Sequence, residues 1–195
     1  MLNIKNYIND VDLFKILNKY NVFDIATHGK KVSICAMRLF DSLYPYYELK
    51  AEERNLLYYS AILHDIGYFI SKENHHQHTK YIILKEPFLD NVPSNLKGHL
   101  ALIASGHGKH IDDNIRLCSD KTKITVLKLI SLLRIADSLD HKHNLHVSLE
   151  KVEMKNGTLN IKIKGDACHL IIKKIQKRSS LFTEIYNMPI YMDCS

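Results

Sequence analysis

The 195-residue chain is short of the residues that interrupt or staple a backbone. Seven glycines and four prolines are too few for a loop-rich fold, so regular elements must fill most of its length. Its four cysteines, Cys35, Cys118, Cys168 and Cys194, are widely spaced and form no CxxC pair, which argues against a finger-type zinc site and a disulfide framework. Nowhere do 18 apolar residues follow one another, and MLNIKNYINDVDLFK lacks the cationic start and apolar core of a leader. We therefore expect neither a membrane span nor a secretory signal, and read the protein as cytoplasmic with reduced thiols. Internal repeats and low-complexity linkers are absent as well.

What is present is ordinary for a globular protein: 46% hydrophobic and 25% charged residues. At roughly 150 residues per domain, the length fits one domain with an appendage, able to bury roughly 70% of its unfolded surface. The formal net charge of +6, with twelve histidines counted as neutral, favours anionic partners. Basic residues form no long run, however. The one cluster, Lys173, Lys174, Lys177 and Arg178, reads as a solvated helix face, which argues against nucleic acid.

Apolar residues recur at spacings of three and four, predicting helices over about residues 3–20, 27–44, 51–66, 74–84, 93–106 and 122–143. After His146 the pattern changes. Leu159, Ile161 and Ile163 alternate with polar residues behind an Asn156-Gly157 turn signal, a hairpin signature. Asp166 can cap a short helix through Ala167, Leu170, Ile171 and Ile175, and Pro189, Ile190 and Tyr191 can add a last strand. The fold class is thus mostly α, with a helical bundle over residues 1–145 and a small α+β tail over 146–195.

Chemistry-bearing residues stand at the ends of the apolar stripes. His28 opens the stripe of Val32, Cys35, Leu39 and Leu43, and Leu57 and Ala61 lead to His64 with Asp65 beside it. Leu96, Leu100 and Ile103 lead to His107, and Val126, Ile130 and Leu133 to Asp137. One histidine on such a stripe is usually a hydrogen-bonded core residue. A carboxylate at Asp137 among leucines needs a partner, because an unpaired buried charge costs several kcal/mol; Arg134 could be that partner, or a metal ion could satisfy all four helices together. Imidazole and carboxylate donors without thiolate suit manganese, iron, nickel, zinc or magnesium. Adjacent residues on a helix diverge by about 100°, so His64 and Asp65 can share a site only at a helix end, and Gly67 stands where the helix could loosen. In NHHQHT, His78 shares its stripe with Ile82 and is the ligand candidate; His75 and His76 read equally well as surface histidines.

These motifs match a known family. A histidine opening a helix, the doublet in AILHDIG and the aspartate in LLRIADSLD resemble the H…HD…D signature of the HD-domain metal-dependent phosphohydrolase superfamily. More narrowly, THGKKVSICAMRLFDSL, AILHDIGYFI, HHQHTKYIIL and SGHGKH resemble the C-terminal helical domain of the exopolyphosphatase and guanosine pentaphosphate phosphatase family. The resemblance spans about residues 27–143. It implies an HD-type bundle holding one or two divalent ions, with His28, His64, Asp65 and Asp137 as ligands, Asp65 bridging, and His78 and His107 serving a second ion. A bound phosphate would need cations at its rim, for which Lys30, Lys31, Lys109 and Arg134 are the candidates, and Asp65, Lys109 and Arg134 are the expected catalytic groups. The actin-like domains that carry polyphosphatase activity in that family have no counterpart here, so that activity does not carry over. Tyr68 also stands where cyclic-dinucleotide phosphodiesterases have lysine after HDIG, which argues against that substrate.

The expected function is hydrolysis of a phosphate monoester or diester, nucleotides among them, on an anionic phosphorylated small molecule. The alternative is a regulatory module that binds a nucleotide or partner without turnover. Substrate, native metal and oligomeric state are not written in the sequence.

Overall fold

The computed structural model describes residues 2–140 and 147–194. Six helices form the body: α1 (Asp10–Lys19), α2 (Ile25–Leu43), α3 (Ala51–Leu63), α4 (His75–Lys85), α5 (Ser94–Ser105) and α6 (Asp120–Leu139). The tail follows as β1 (Ser148–Lys155), β2 (Thr158–Lys164), α7 (Cys168–Arg178), α8 (Ser180–Tyr186) and β3 (Ile190–Cys194). The protein is mostly α with a small α+β tail. The expected end of the sixth helix at 143 and the changeover at 145–146 lie outside the described residues.

Caps explain where the helices start. Asn9 accepts from the Asp12 amide at 2.9 Å, so α1 begins at Asp10 and the expected first helix splits, leaving a 3-10 turn at Ile4–Asn6. The Glu53 carboxylate accepts from the Lys50 amide at 3.0 Å at the start of α3, and Ser119 accepts from Thr122 at the start of α6. From Leu129 to Leu139 every residue of α6 is buried, the mark of a helix enclosed on all sides. It packs against α2, α3 and α5 on one hand and α7 and α8 on the other. Any polar group on its last turns is thereby held inside the molecule.

The tail is a three-stranded sheet in the order β1-β2-β3. Asn156 and Gly157, at φ 51° and 70°, make the tight turn of the β1–β2 hairpin. The return to β3 is parallel, pairing Leu159 with Ile190, and a parallel neighbour requires a crossover. α7 and α8 supply it, so the short helix expected after Asp166 is followed by a second one that periodicity did not reveal. Ala167, not Asp166, caps α7, without a side-chain bond. Leu159, Ile161 and Ile163 are buried with Ile171, Ile175 and Phe182. Arg38 of α2 donates to the carbonyls of Leu149 and Glu150, where the β1–β2 register shifts, and Tyr47 donates to the Tyr186 carbonyl at 2.9 Å.

In the body, α1 is fastened through Glu86, whose side chain is fully buried. It accepts from the Tyr20 hydroxyl at 2.6 Å and from Lys19 at 2.9 Å. Burial would raise its pKa, but these two donors hold it below the ordinary glutamate value. We expect Glu86→Ala to cost about 1 kcal/mol in urea unfolding near neutral pH, mainly because it leaves the Tyr20 hydroxyl without its acceptor. A depressed carboxylate contributes stability above its unfolded pKa and loses it as pH falls through the folded one. The gap between wild type and variant should therefore close in acid; a gap independent of pH would show that the ion pair is idle.

Candidate metal centre

Five helix ends meet at one point, because each apolar stripe ends there in a polar residue. His28 comes from the first turn of α2 and His64 caps the C-terminal end of α3. His75 opens α4, His107 follows the end of α5, and Asp137 lies in the last turn of α6. Asp65 sits between them, just past α3. There the chain leaves the helix at φ −109°, ψ 5°, which lets two adjacent side chains face one centre.

The Asp65 carboxylate faces both ways. Its Oδ2 lies 3.5 Å from His28 Nε2 and 3.4 Å from His64 Nε2. Its Oδ1 lies 3.3 Å from His107 Nε2 and 3.5 Å from His75 Nε2. Asp137 Oδ1 is 3.5 Å from His28 Nε2 and 4.0 Å from His64 Nε2. Two groups among the described residues could hold a metal ion: His28, His64 and Asp65, and Asp65, His75 and His107.

Three of the histidines are oriented by one repeated device. In each, Nδ1 donates to the carbonyl three residues earlier: His64 to Ala61 at 2.9 Å, His75 to Lys72 at 3.1 Å and His107 to Ala104 at 2.7 Å. That fixes the tautomer and turns the Nε2 lone pair inward. His28 is held instead by a carboxylate, with Nδ1 2.7 Å from Asp140 Oδ2. Lone pairs converging without a donor are costly when buried. His64 Nε2 and Asp65 Oδ1 are both buried with no hydrogen-bond partner, and the Nε2 atoms of His75 and His107 face each other at 3.0 Å. A cation resolves each of these conflicts, so the donor set fits a divalent metal.

The protonation tendencies agree with that reading. Burial would lower the His28 pKa, but Asp137 and Asp140 outweigh it and raise it to about 9. Fully buried, His64 is pushed down to about 4. Burial would raise Asp65 and Asp137, yet His64 and His107 hold the first, and His28 with the other imidazoles and Arg178 hold the second, well below the carboxylate range. The anionic centre therefore draws protons or metal to the same lone pairs.

Placement of the remaining residues corrects several expectations. His78 belongs to neither group. His75 takes its place, because the site lies at the start of α4 and a turn further on the helix has already moved past it. Arg134 does not pair with Asp137; its Nε donates to the Gly106 carbonyl at 2.8 Å and its guanidinium to that of His110 at 3.5 Å. It braces the loop that carries His107. Asp137 Oδ2 is instead bonded by Arg178 of α7. Lys30 turns outward, its ammonium 5.4 Å from the Phe14 ring. Lys31 lies 3.6 Å from Asp140 Oδ1, and Lys109 is exposed with no ion pair among the described residues. Sequence reasoning missed Asp140, although it stands one helical turn beyond Asp137 on the same face. It also missed the Tyr68 ring, stacked on His75 at 4.2 Å.

A staple brings α4 to the doublet. Thr79 accepts from the Gly67 amide at 3.0 Å and donates to the His64 carbonyl at 2.8 Å. A Cβ on Gly67 would lie 1.9 Å from the His75 carbonyl oxygen. Close approach, not helix termination, is thus why glycine stands there.

A family model described as Ppx/GppA phosphatase, domain III, matches residues 10–179, a span containing every residue of the centre and Arg178. No curated protein matches the chain.

Thr79→Val keeps the shape but strands a buried amide and a buried carbonyl. We expect it to lower unfolding stability by about 2 kcal/mol, with Thr79→Ser close to wild type. Equal stability of all three proteins by chemical denaturation would show that the staple does not hold α4 in place.

Proposed function

The chain belongs to the family described as Ppx/GppA phosphatase, domain III, and on that premise we propose that it is a metal-dependent phosphohydrolase of the HD superfamily. Its substrate is an anionic phosphate monoester or diester, nucleotides included. The observation that carries this reading is Asp65, one carboxylate with a pair of imidazole nitrogens at each oxygen. His28, His64, Asp65 and Asp137 would hold a first ion, and Asp65, His75 and His107 a second. Bound there, a manganese, iron, nickel, zinc or magnesium ion supplies Lewis acidity towards a phosphoryl oxygen and brings the pKa of water towards neutrality. The protein's own part is to aim the Nε2 atoms inward, to balance charge through Asp65 and Asp137, and to fix the His107 loop through Arg134.

We read the chain as a helical unit over 1–145 that carries these ligands and an α+β unit over 146–195. No helix among the described residues is long and apolar enough to cross a membrane, and we place the protein in the cytoplasm. A regulatory module that binds without turnover is the second reading, favoured by the matched description, which names one domain of a phosphatase.

Elemental analysis combined with a screen of phosphatase and phosphodiesterase substrates separates the two. The metal-loaded wild type should carry one ion or two per chain and hydrolyse at least one substrate class. His64→Ala should lose the metal and at least about 100-fold in rate, and His75→Ala or His107→Ala should lose up to one ion. His78→Ala should match wild type. A fully loaded protein that turns over nothing in the screen would give way to the regulatory module.

A further inference from the structure

α7 carries an apolar stripe of the kind that leads to each ligand in the body. Cys168, Ile171 and Ile175 are buried at spacings of three and four, and Arg178 follows three residues later on the same face. The basic cluster near the C-terminus therefore divides. Lys173 and Lys177 are exposed on the outer face, whereas Arg178 points inward and bonds Asp137 Oδ2, the oxygen turned away from His28 and His64.

We propose that Arg178 is the substrate-binding arginine of this site, taking a phosphoryl oxygen at the mouth of the centre, so that the α+β tail completes the active site. This rests on the phosphohydrolase reading and adds the residue that meets the phosphate. A guanidinium has five N–H donors in a planar fork, and the bond to Asp137 is the one interaction of its fork among the described residues. The side chain is 29% exposed, and a planar fork matches a phosphate better than an ammonium does.

Of the other expected phosphate-binding cations, Lys109 is exposed without an ion pair among the described residues, and the remaining three are engaged. Lys30 stands over Phe14, Lys31 faces Asp140, and the Arg134 guanidinium donates to two backbone carbonyls. Burial, with Arg178 adding to it, lowers the Arg134 pKa to about 10, which places the two guanidinium groups within each other's field. With a divalent ion held at the centre, Arg134 and Arg178 would add to the positive field that draws an incoming phosphate. Tyr68, stacked on His75, lies within the field of Asp65, Asp137 and Arg178.

The test uses the 195-residue chain loaded with manganese, in wild-type, Arg178→Gln and Arg178→Lys forms. Three quantities are read: the metal count, the affinity for inorganic phosphate by calorimetry, and KM against kcat for p-nitrophenyl phosphate and its bis ester. Arg178→Gln should keep its metal, weaken phosphate and raise KM by about tenfold or more, and Arg178→Lys should recover part of that loss. If the glutamine form does not fold, a several-fold rise in KM in the lysine form with unchanged metal content carries the test. Unchanged phosphate affinity and KM in an active protein overturn the inference alone, whether or not the melting temperature falls. A drop in metal count overturns it too, in favour of an arginine that only orients Asp137. A wild type that neither binds phosphate nor hydrolyses either ester sinks the phosphohydrolase reading and this inference with it.

Discussion

The burial of a single carboxylate among four imidazoles is the constraint around which the molecule is built. Asp65 is 7% exposed and His64 not at all, and a charge so enclosed is tolerated only where opposite charge or hydrogen bonds compensate it. Each compensating group must come from a different helix, since one helix cannot surround a point. The ends of α2, α3, α4, α5 and α6 are accordingly drawn together, and the close contacts at Gly29 and Gly67, where a Cβ would strike backbone oxygen, mark how tightly.

Orientation is supplied almost entirely by the backbone. A histidine whose Nδ1 bonds the carbonyl three residues before it needs no other side chain to aim its Nε2, so the ring direction follows from the helix end itself. His28 is the exception. Its Nδ1 is held by the Asp140 carboxylate instead.

The sequence made the body legible because its stripes are long and its breakers few. His28, His64, His107 and Asp137 each sit at the end of an apolar run, so their meeting follows once the runs pack together. His75 did not follow, because extrapolating the stripe through His78 and Ile82 presumes a site alongside the helix, whereas the Thr79 staple sets the site at its tip. Arg178 did not follow either. Its partner lies 41 residues away across a change of architecture, and a cluster of four basic residues reads as solvent-facing until the stripe of α7 is followed. The second helix of the crossover, α8, is only seven residues long, below what periodicity resolves.

The parallel pairing of β3 with β2 sets an order of assembly. A hairpin such as β1–β2 closes over two residues, and helix ends can meet as soon as the body collapses. β3 can join only after the chain has travelled through α7 and α8 and back, and distant pairings come late because their loops must close first. Arg178 rides on that crossover. The segment whose return completes the sheet is thus also the one that carries the counter-charge of Asp137, so the tail and the site depend on the same stretch of chain.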